Sequence, residues 1–266
     1  MTDTVFVTLS DRGYFPRALR TIEDLRTNGK WTGDIVLVAV DFDPPPDALS
    51  PFRVLVHRVG HLKTDALVRV LKEKPFVNPP SDNRQFDKLT QWDKLQVFSD
   101  FFTKWRRVCF LDAGLRVFNS VVPLLALPYE GALLAPDDSD PYDNGNRLGC
   151  QLDLQANPEA TLRILDTFGN DVASHRYFLN CIFVFDTALI SRCDQTELEQ
   201  AMNAYPVCRT NEMALMNLMF TVKHKVWRPF PQKTEEGKYL FGWCELNYRE
   251  RPAASEFHFL KYPMIR

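Results

Sequence analysis

Polar side chains follow several short apolar runs of this sequence, at the points where the runs end. They are Ser10, Asp11, Asp41, Asp43, Asp112, Asp137, Asp138 and Asp186. Parallel strands bring their carboxyl ends to one edge of a sheet, where open α/β sheets bind ligands. An aspartate after a strand is also a favoured turn residue, which is the simpler explanation for any one of them. Together they predict a polar site at one sheet edge.

The stretch RRVCFLDAGLRVF, residues 106–118, raises a more specific question. A second carboxylate two residues after Asp112 would complete an Asp-x-Asp clamp for a divalent cation, because Mg²⁺ and Mn²⁺ prefer carboxylate and water oxygens. Gly114 stands at that position. The sequence leaves three explanations open: a site with a missing metal ligand, a site that works without it, or a strand followed by a turn.

The elements that position these groups alternate between apolar runs and helical patterns, which predicts an α/β fold. Strands are predicted over 5–9, 34–40, 53–59, 108–112, 131–138 and 181–190. Helices are predicted over 16–29, 64–74, 86–105, 158–168, 194–204 and 210–220, with Thr64 capping the second and Thr210 or Asn211 the last. The order strand, helix, buried strand predicts a parallel sheet with a right-handed crossover. No linker interrupts 1–266, which predicts a single domain.

Composition narrows the class of protein. The chain has 266 residues, a net charge of −2, and 45% hydrophobic residues, so no overall charge attracts nucleic acid or anionic lipid. The first 15 residues contain no basic region followed by a long apolar run, which predicts a cytoplasmic protein without a membrane span. The six cysteines show no C-x-x-C spacing, which predicts free thiols.

Five segments, taken in order, resemble the GT-A fold glycosyltransferases, most closely family 8, which includes glycogenin and bacterial galactosyltransferases. They are VFVTLSDRGYFPRALRTIEDLR (5–26), the long block from Asp87 to Leu127 that contains LDAG, YFLNCIFVFDT (177–187), NEMALMN (211–217) and HFLKYP (258–263). The resemblance implies a single GT-A domain with a mostly parallel mixed sheet flanked by helices. It also implies transfer of a hexose from a nucleotide sugar, UDP-linked, to an acceptor hydroxyl on a glycan or other molecule, with retention favoured.

The same resemblance implies roles for individual residues. Asp112 and His258 would bind a divalent cation, and Asp112 would also contact the ribose. The nucleotide sugar would be held by Thr8, Ser10, Asp11, Tyr14, Lys94, Asp112 and Lys261, with Tyr14 stacked on the base. Glu212 and Asn180 would face the reacting sugar. The acceptor would meet Asp137, Asp138 and Asn144.

Several positions depart from the family pattern and leave the cofactor open. Gly114 replaces the second acid, Met213 replaces a glutamine, and Lys261 follows His258 after only three residues. Mn²⁺ or Mg²⁺ could be held by Asp112 and His258, with Asp137 or Asp138 as a substitute. Alternatively, Lys94, Lys261 and a nearby arginine could neutralise the donor diphosphate without metal.

Two other functions stay open. A GT-A-like module could bind nucleotide or glycan without turnover. A nucleotidyltransferase would need a glycine-rich basic loop after the first strand, and LSDRGY contains one glycine and one arginine.

Overall fold

A computed structural model describes residues 3–138, 146–243 and 252–261. The chain forms a seven-stranded sheet in the order β3-β2-β1-β4-β7-β6-β8 and a three-stranded sheet in the order β5-β10-β9. The strands are β1 Thr4–Ser10, β2 Asp34–Val40, β3 Val54–Val59, β4 Arg107–Leu111, β5 Leu115–Val117, β6 Leu133–Ala135, β7 Ile182–Asp186, β8 Trp227–Pro229, β9 Tyr239–Trp243 and β10 Phe257–Lys261. In the large sheet only β7 runs against its neighbours, so the predicted mostly parallel mixed sheet is confirmed.

The central strands are buried on both faces because their side chains alternate between two hydrophobic cores. In β4, Val108 and Phe110 face one core and Cys109 and Leu111 face the other. This explains why the sequence shows continuous apolar runs rather than alternating polar residues. Of the described cysteines, Cys109, Cys181, Cys193 and Cys208 are buried and Cys150 is exposed, and all five are free, as predicted.

Helices cover both faces of the large sheet. They are α1 Phe15–Thr27, α2 Pro46–Leu49, α3 Asp65–Glu73, α4 Arg84–Asp87, α5 Val122–Leu125, α6 Pro158–Phe168, α7 Gln195–Ala204 and α8 Glu212–Met216. Thr64 and Asn211 occupy the predicted N-cap positions, but neither side chain makes a capping hydrogen bond. None of the described helices is both long and apolar enough to cross a bilayer.

The prediction of one long helix over 86–105 is wrong. The segment consists of α4 and two 3₁₀ helices, Leu89–Phe98 and Asp100–Lys104, separated by extended backbone at Ser99. The apolar side chains of this segment are nevertheless packed in or against the core. All seven residues from Trp92 to Phe98 are buried, whereas an amphipathic α-helix would expose about half of its surface.

Two other predicted elements are shorter than expected. The last helix ends as α8 at Met216 and continues as a π-helix over Asn217–Lys223. The predicted strand over 181–190 ends at Asp186 and continues as a 3₁₀ turn over Thr187–Ser191. A capping bond begins this turn, because the Asp186 carboxylate accepts a hydrogen bond from the Ala188 backbone N–H at 2.9 Å.

Candidate active site

Three strands bring the candidate residues to one edge of the large sheet. β1 and β4 are parallel and end there, and the antiparallel strand β7 begins there. The Asp112 backbone N–H donates to the Cys181 carbonyl at 2.9 Å, which places Asn180 beside Asp112. Because β7 is antiparallel, Asp186 lies at the opposite edge, so the prediction that it joins the other strand-end carboxylates is wrong.

A chain of alternating charges occupies this edge. Lys261 Nζ lies 3.0 Å from Asp112 Oδ2, and Lys94 Nζ lies 2.9 Å from Asp112 Oδ1. Lys94 Nζ also lies 3.0 Å from Glu212 Oε1, which accepts a second hydrogen bond from Asn180 Nδ2 at 3.0 Å. The structure therefore brings together five of the predicted site residues from four separate segments of the chain.

Burial and neighbouring charges shift the pKa values of these groups in opposite directions. Burial alone would lower the pKa of Lys94, but the carboxylates of Asp112 and Glu212 more than offset this effect, and its pKa is raised. Burial alone would raise the pKa of Asp112, but Lys261 and Lys94 more than offset it, and its pKa is lowered. Both groups are therefore charged at neutral pH, since each shift favours the ionised form.

Gly114 is required by the turn that follows Asp112. Its φ is +88°, a conformation that strains other residues, and Leu115 N–H donates to the Asp112 carbonyl at 3.0 Å across the turn. The buried hydroxyl of Thr21 on α1 accepts from Gly114 N–H at 3.0 Å and donates to the Leu115 carbonyl at 2.9 Å. An aspartate at position 114 would cost about 1–2 kcal/mol in backbone strain, so Gly114→Asp would not simply restore an acid.

Several buried polar atoms at the site have no hydrogen-bond partner among the described residues. They include Thr8 Oγ1, Ser10 Oγ and Glu212 Oε2. A buried polar group left without a partner costs about 1–3 kcal/mol, so such groups mark positions where a ligand can bind. Thr8 and Ser10 are each at most 2% exposed, and Glu212 is 3% exposed.

Asp11 and Tyr14 form the turn between β1 and α1. The Asp11 carboxylate accepts a hydrogen bond from the Tyr14 backbone N–H at 2.8 Å. This bond explains Asp11 as a structural turn residue. The Tyr14 side chain is 38% exposed, which leaves its ring accessible.

His258 is a buried residue of β10. Residues three apart on a strand face opposite sides of the sheet, so His258 and Lys261 on β10 point away from each other. The ring of His258 is 3% exposed, and its Nδ1 lies 2.8 Å from the Ser120 carbonyl oxygen. Its Nε2 is buried and has no hydrogen-bond partner among the described residues, and the pairing of Asp112 and His258 as metal ligands stays a prediction.

The candidate acceptor residues have other partners. Asp137 Oδ2 lies 2.7 Å from Arg176 Nε, and the Asp138 carboxylate accepts hydrogen bonds from the Tyr177 hydroxyl and from Asn146. The role of Asp137 or Asp138 as a substitute metal ligand stays a prediction. Asn144 lies outside the described residues.

The residues at this edge do not fit a divalent cation. Each Asp112 oxygen already holds a lysine ammonium, and Gly114 offers no carboxylate. A divalent ion at Asp112 would have to displace these ammonium groups or lie next to them, where like charges repel. In the described part of the chain, the one group of three or more side chains spaced to hold an ion is Cys193, Glu197 and His224. Glu197 in that group is paired with Lys223 at 2.6 Å, which opposes a second cation there.

The sequence matches no known family model and no curated protein. The fold, however, matches solved structures. The galactosyltransferase LgtC, in complex with donor and acceptor sugar analogs, aligns with 91% of this chain and 76% of its own at a TM-score of 0.59 and 12% identity. An active-site mutant of LgtC aligns with 97% of this chain and 86% of its own at a TM-score of 0.61 and 11% identity. The chain has the GT-A fold.

A third match covers less than half of the other protein. The apo bifunctional glycosyltransferase WbbM aligns with 90% of this chain but only 40% of its own, at a TM-score of 0.54 and 15% identity. The predicted GT-A resemblance is thereby confirmed for the fold. At these identities, the matches show the fold and not the chemistry.

Proposed function

We propose that this protein is a glycosyltransferase that moves a hexose from a nucleotide sugar, UDP-linked, to a hydroxyl of a glycan or other acceptor. The observation that supports this most is the charge chain of Lys261, Asp112, Lys94 and Glu212 at the carboxyl edge of a GT-A sheet. Beside it lie buried polar atoms that have no partner among the described residues. The choice of UDP rests on the resemblance of the sequence.

Glycosyl transfer develops charge of both signs, so both positively and negatively charged side chains can assist it. The bond between the anomeric carbon and the diphosphate oxygen breaks, and its electron pair stays with the diphosphate. The acceptor oxygen forms the new bond to the anomeric carbon, and its proton passes to the released diphosphate. Negative charge therefore grows on the leaving group while positive charge grows on the sugar ring.

The side chains at the edge match this separation of charge. Lys261 is 23% exposed and would contact the diphosphate, while Lys94 is enclosed and holds both carboxylates in place. Glu212, whose Oε2 has no described partner, would accept hydrogen bonds from the sugar and stabilise its positive charge together with Asn180. Asp112 would accept a hydrogen bond from the ribose, and Thr8, Ser10 and Tyr14 would contact the base. Asp137 and Asp138 would border the acceptor.

The experiment that tests the proposal is calorimetry with UDP, UDP-glucose, UDP-galactose and GDP-mannose, followed by an assay of nucleotide release. We expect slow hydrolysis of the matching sugar nucleotide even without an acceptor, because water can enter the acceptor side and react at the anomeric carbon. If a broad panel binds but none is hydrolysed or transferred, the protein is instead a module that binds nucleotide without turnover.

Replacing Asp112 with asparagine is expected to weaken nucleotide binding by about 1–3 kcal/mol, the range for charge-assisted hydrogen bonds. The variant loses the charge offered to the ribose and also the anion that positions Lys261. Asp47→Asn, at an exposed position on α2, is the matched control. Equal or tighter binding of UDP by a folded Asp112→Asn protein would remove Asp112 from the ribose contact.

A further inference from the structure

Arg17 lies beside the Asp112–Leu115 turn and was not among the residues selected from the sequence. Its Cβ and Cδ are each 3.5 Å from the position that a Cβ on Gly114 would take. Its guanidinium lies over the Tyr14 ring, 5.3 Å from the centroid. The stem of an arginine therefore borders the space into which a second acidic side chain would project.

The charge of Arg17 is not balanced by a neighbour. Its side chain is exposed, and it forms no ion pair within residues 3–138, 146–243 and 252–261. The two lysines and two carboxylates of the charge chain sum to zero, so the guanidinium of Arg17 adds a positive charge beside a neutral chain. A net positive charge at an open site favours an anionic ligand.

We propose that Arg17 and Lys261 together bind the diphosphate of the donor without a divalent cation. This inference rests on the proposed function. It assigns to Arg17 and Lys261 the positive charge that the departing diphosphate needs. A guanidinium can donate two parallel hydrogen bonds to phosphate oxygens, and an ammonium has three donors, so Lys261 can hold Asp112 and a phosphate oxygen together. Both cations then stabilise the electron pair that the departing diphosphate retains.

The misfit of the divalent cation supports the same conclusion. The ammonium of Lys261 lies 3.0 Å from the Asp112 oxygen that an ion would need. The φ of +88° at Gly114 disfavours an acid at that position, and the Arg17 stem lies next to it. In this chain, cationic side chains therefore stand where an Asp-x-Asp clamp would hold a divalent cation.

The test is calorimetry with UDP and with inorganic pyrophosphate, each in EDTA and in Mn²⁺, on the wild type and on Arg17→Gln. We expect EDTA to change the affinity of the wild type for UDP by less than about two-fold. Arg17→Gln is expected to weaken both ligands by about ten-fold or more, the effect of losing a charged hydrogen bond. Arg69→Gln, an exposed arginine on α3, should leave both affinities unchanged.

Lys261→Met provides a second variant, with thermal unfolding as a check that it is folded, and we expect it to weaken pyrophosphate binding as well. Loss of UDP binding in EDTA with recovery in Mn²⁺ would overturn the inference, as would equal behaviour of Arg17→Gln and Arg69→Gln. Failure of both ligands to bind the wild type would also overturn it. If pyrophosphate binds in EDTA and depends on Arg17 but no nucleotide or nucleotide sugar competes, the cation pair stands and the proposed glycosyl transfer fails.

Discussion

Lys94→Met is expected to destabilise the protein by about 3–5 kcal/mol, the range for removing one partner of a buried ion pair. Lys94 is 7% exposed and contacts two carboxylates, of which Glu212 is 3% exposed. Methionine has a similar length and can keep the contact with the Phe110 ring, over which Lys94 Nζ lies at 5.4 Å from the centroid. The loss is therefore one of charge rather than of packing. Urea unfolding at neutral pH measures it.

The double variant Lys94→Met with Glu212→Gln separates charge from other effects. It removes the unpaired buried carboxylate, while Asp112 keeps Lys261, so we expect it to be more stable than Lys94→Met alone.

The raised pKa of Lys94 also sets the pH dependence. The charge of Lys94 stabilises the fold fully below the ordinary lysine pKa of 10.5, and this stabilisation is lost as the pH rises above it. The full destabilisation of Lys94→Met therefore appears at pH 7. A single-variant cost below about 1 kcal/mol would show that water, not Lys94, balances these carboxylates.

Glu212→Gln is expected to lower kcat by about 10²–10³-fold, the effect of removing one electrostatic contact to a transition state. Glutamine keeps the shape and an oxygen for Asn180 and Lys94, but it cannot offer a negative charge to the sugar ring. UDP affinity should change by less than about two-fold, because UDP lacks the hexose that Glu212 would contact. The measurement is turnover of the sugar nucleotide identified by the binding panel.

Glu23→Gln, an exposed glutamate on α1, is the matched control for the loss of one charge. Thermal unfolding of Glu212→Gln shows whether the variant is folded before its rate is interpreted. Undiminished turnover in a folded Glu212→Gln protein would exclude a catalytic role. Parallel losses of UDP affinity and rate would instead assign Glu212 to the organisation of the nucleotide site.

The sequence predicted the sheet well because buried parallel strands need continuous apolar runs, and β1, β2 and β4 show them clearly. Their order along the chain also pointed to Lys94, Asp112 and Lys261, and in the structure the two lysine Nζ atoms lie 2.9 Å and 3.0 Å from the two Asp112 oxygens. Periodicity could not predict the 3₁₀ segment Leu89–Phe98. That segment buries Asp93, Lys94 and Gln96, whose polar groups find distant partners such as the Leu62 backbone N–H.

Other features depend on neighbours that are remote in sequence. The positive φ of Gly114 belongs to a turn that Thr21 anchors from 93 residues away, and no local pattern reveals that contact. Arg17 resembles any exposed helical arginine until the turn is placed beside it. The position of His258 follows from the alternation of β10 once its pairing with β5 is known, with Phe259 opposite Val117.

The ion pair between Lys261 and Asp112 joins residues 149 positions apart. A ribosome releases the chain from its N-terminus, so β1, β4 and Asp112 leave the exit tunnel long before β10 exists. Until residue 261 emerges, the nascent chain lacks one of the two cations proposed to bind the diphosphate. The proposed donor site is therefore completed only after residue 261 has emerged, which would keep a chain translated short of that residue from holding the donor in the finished geometry.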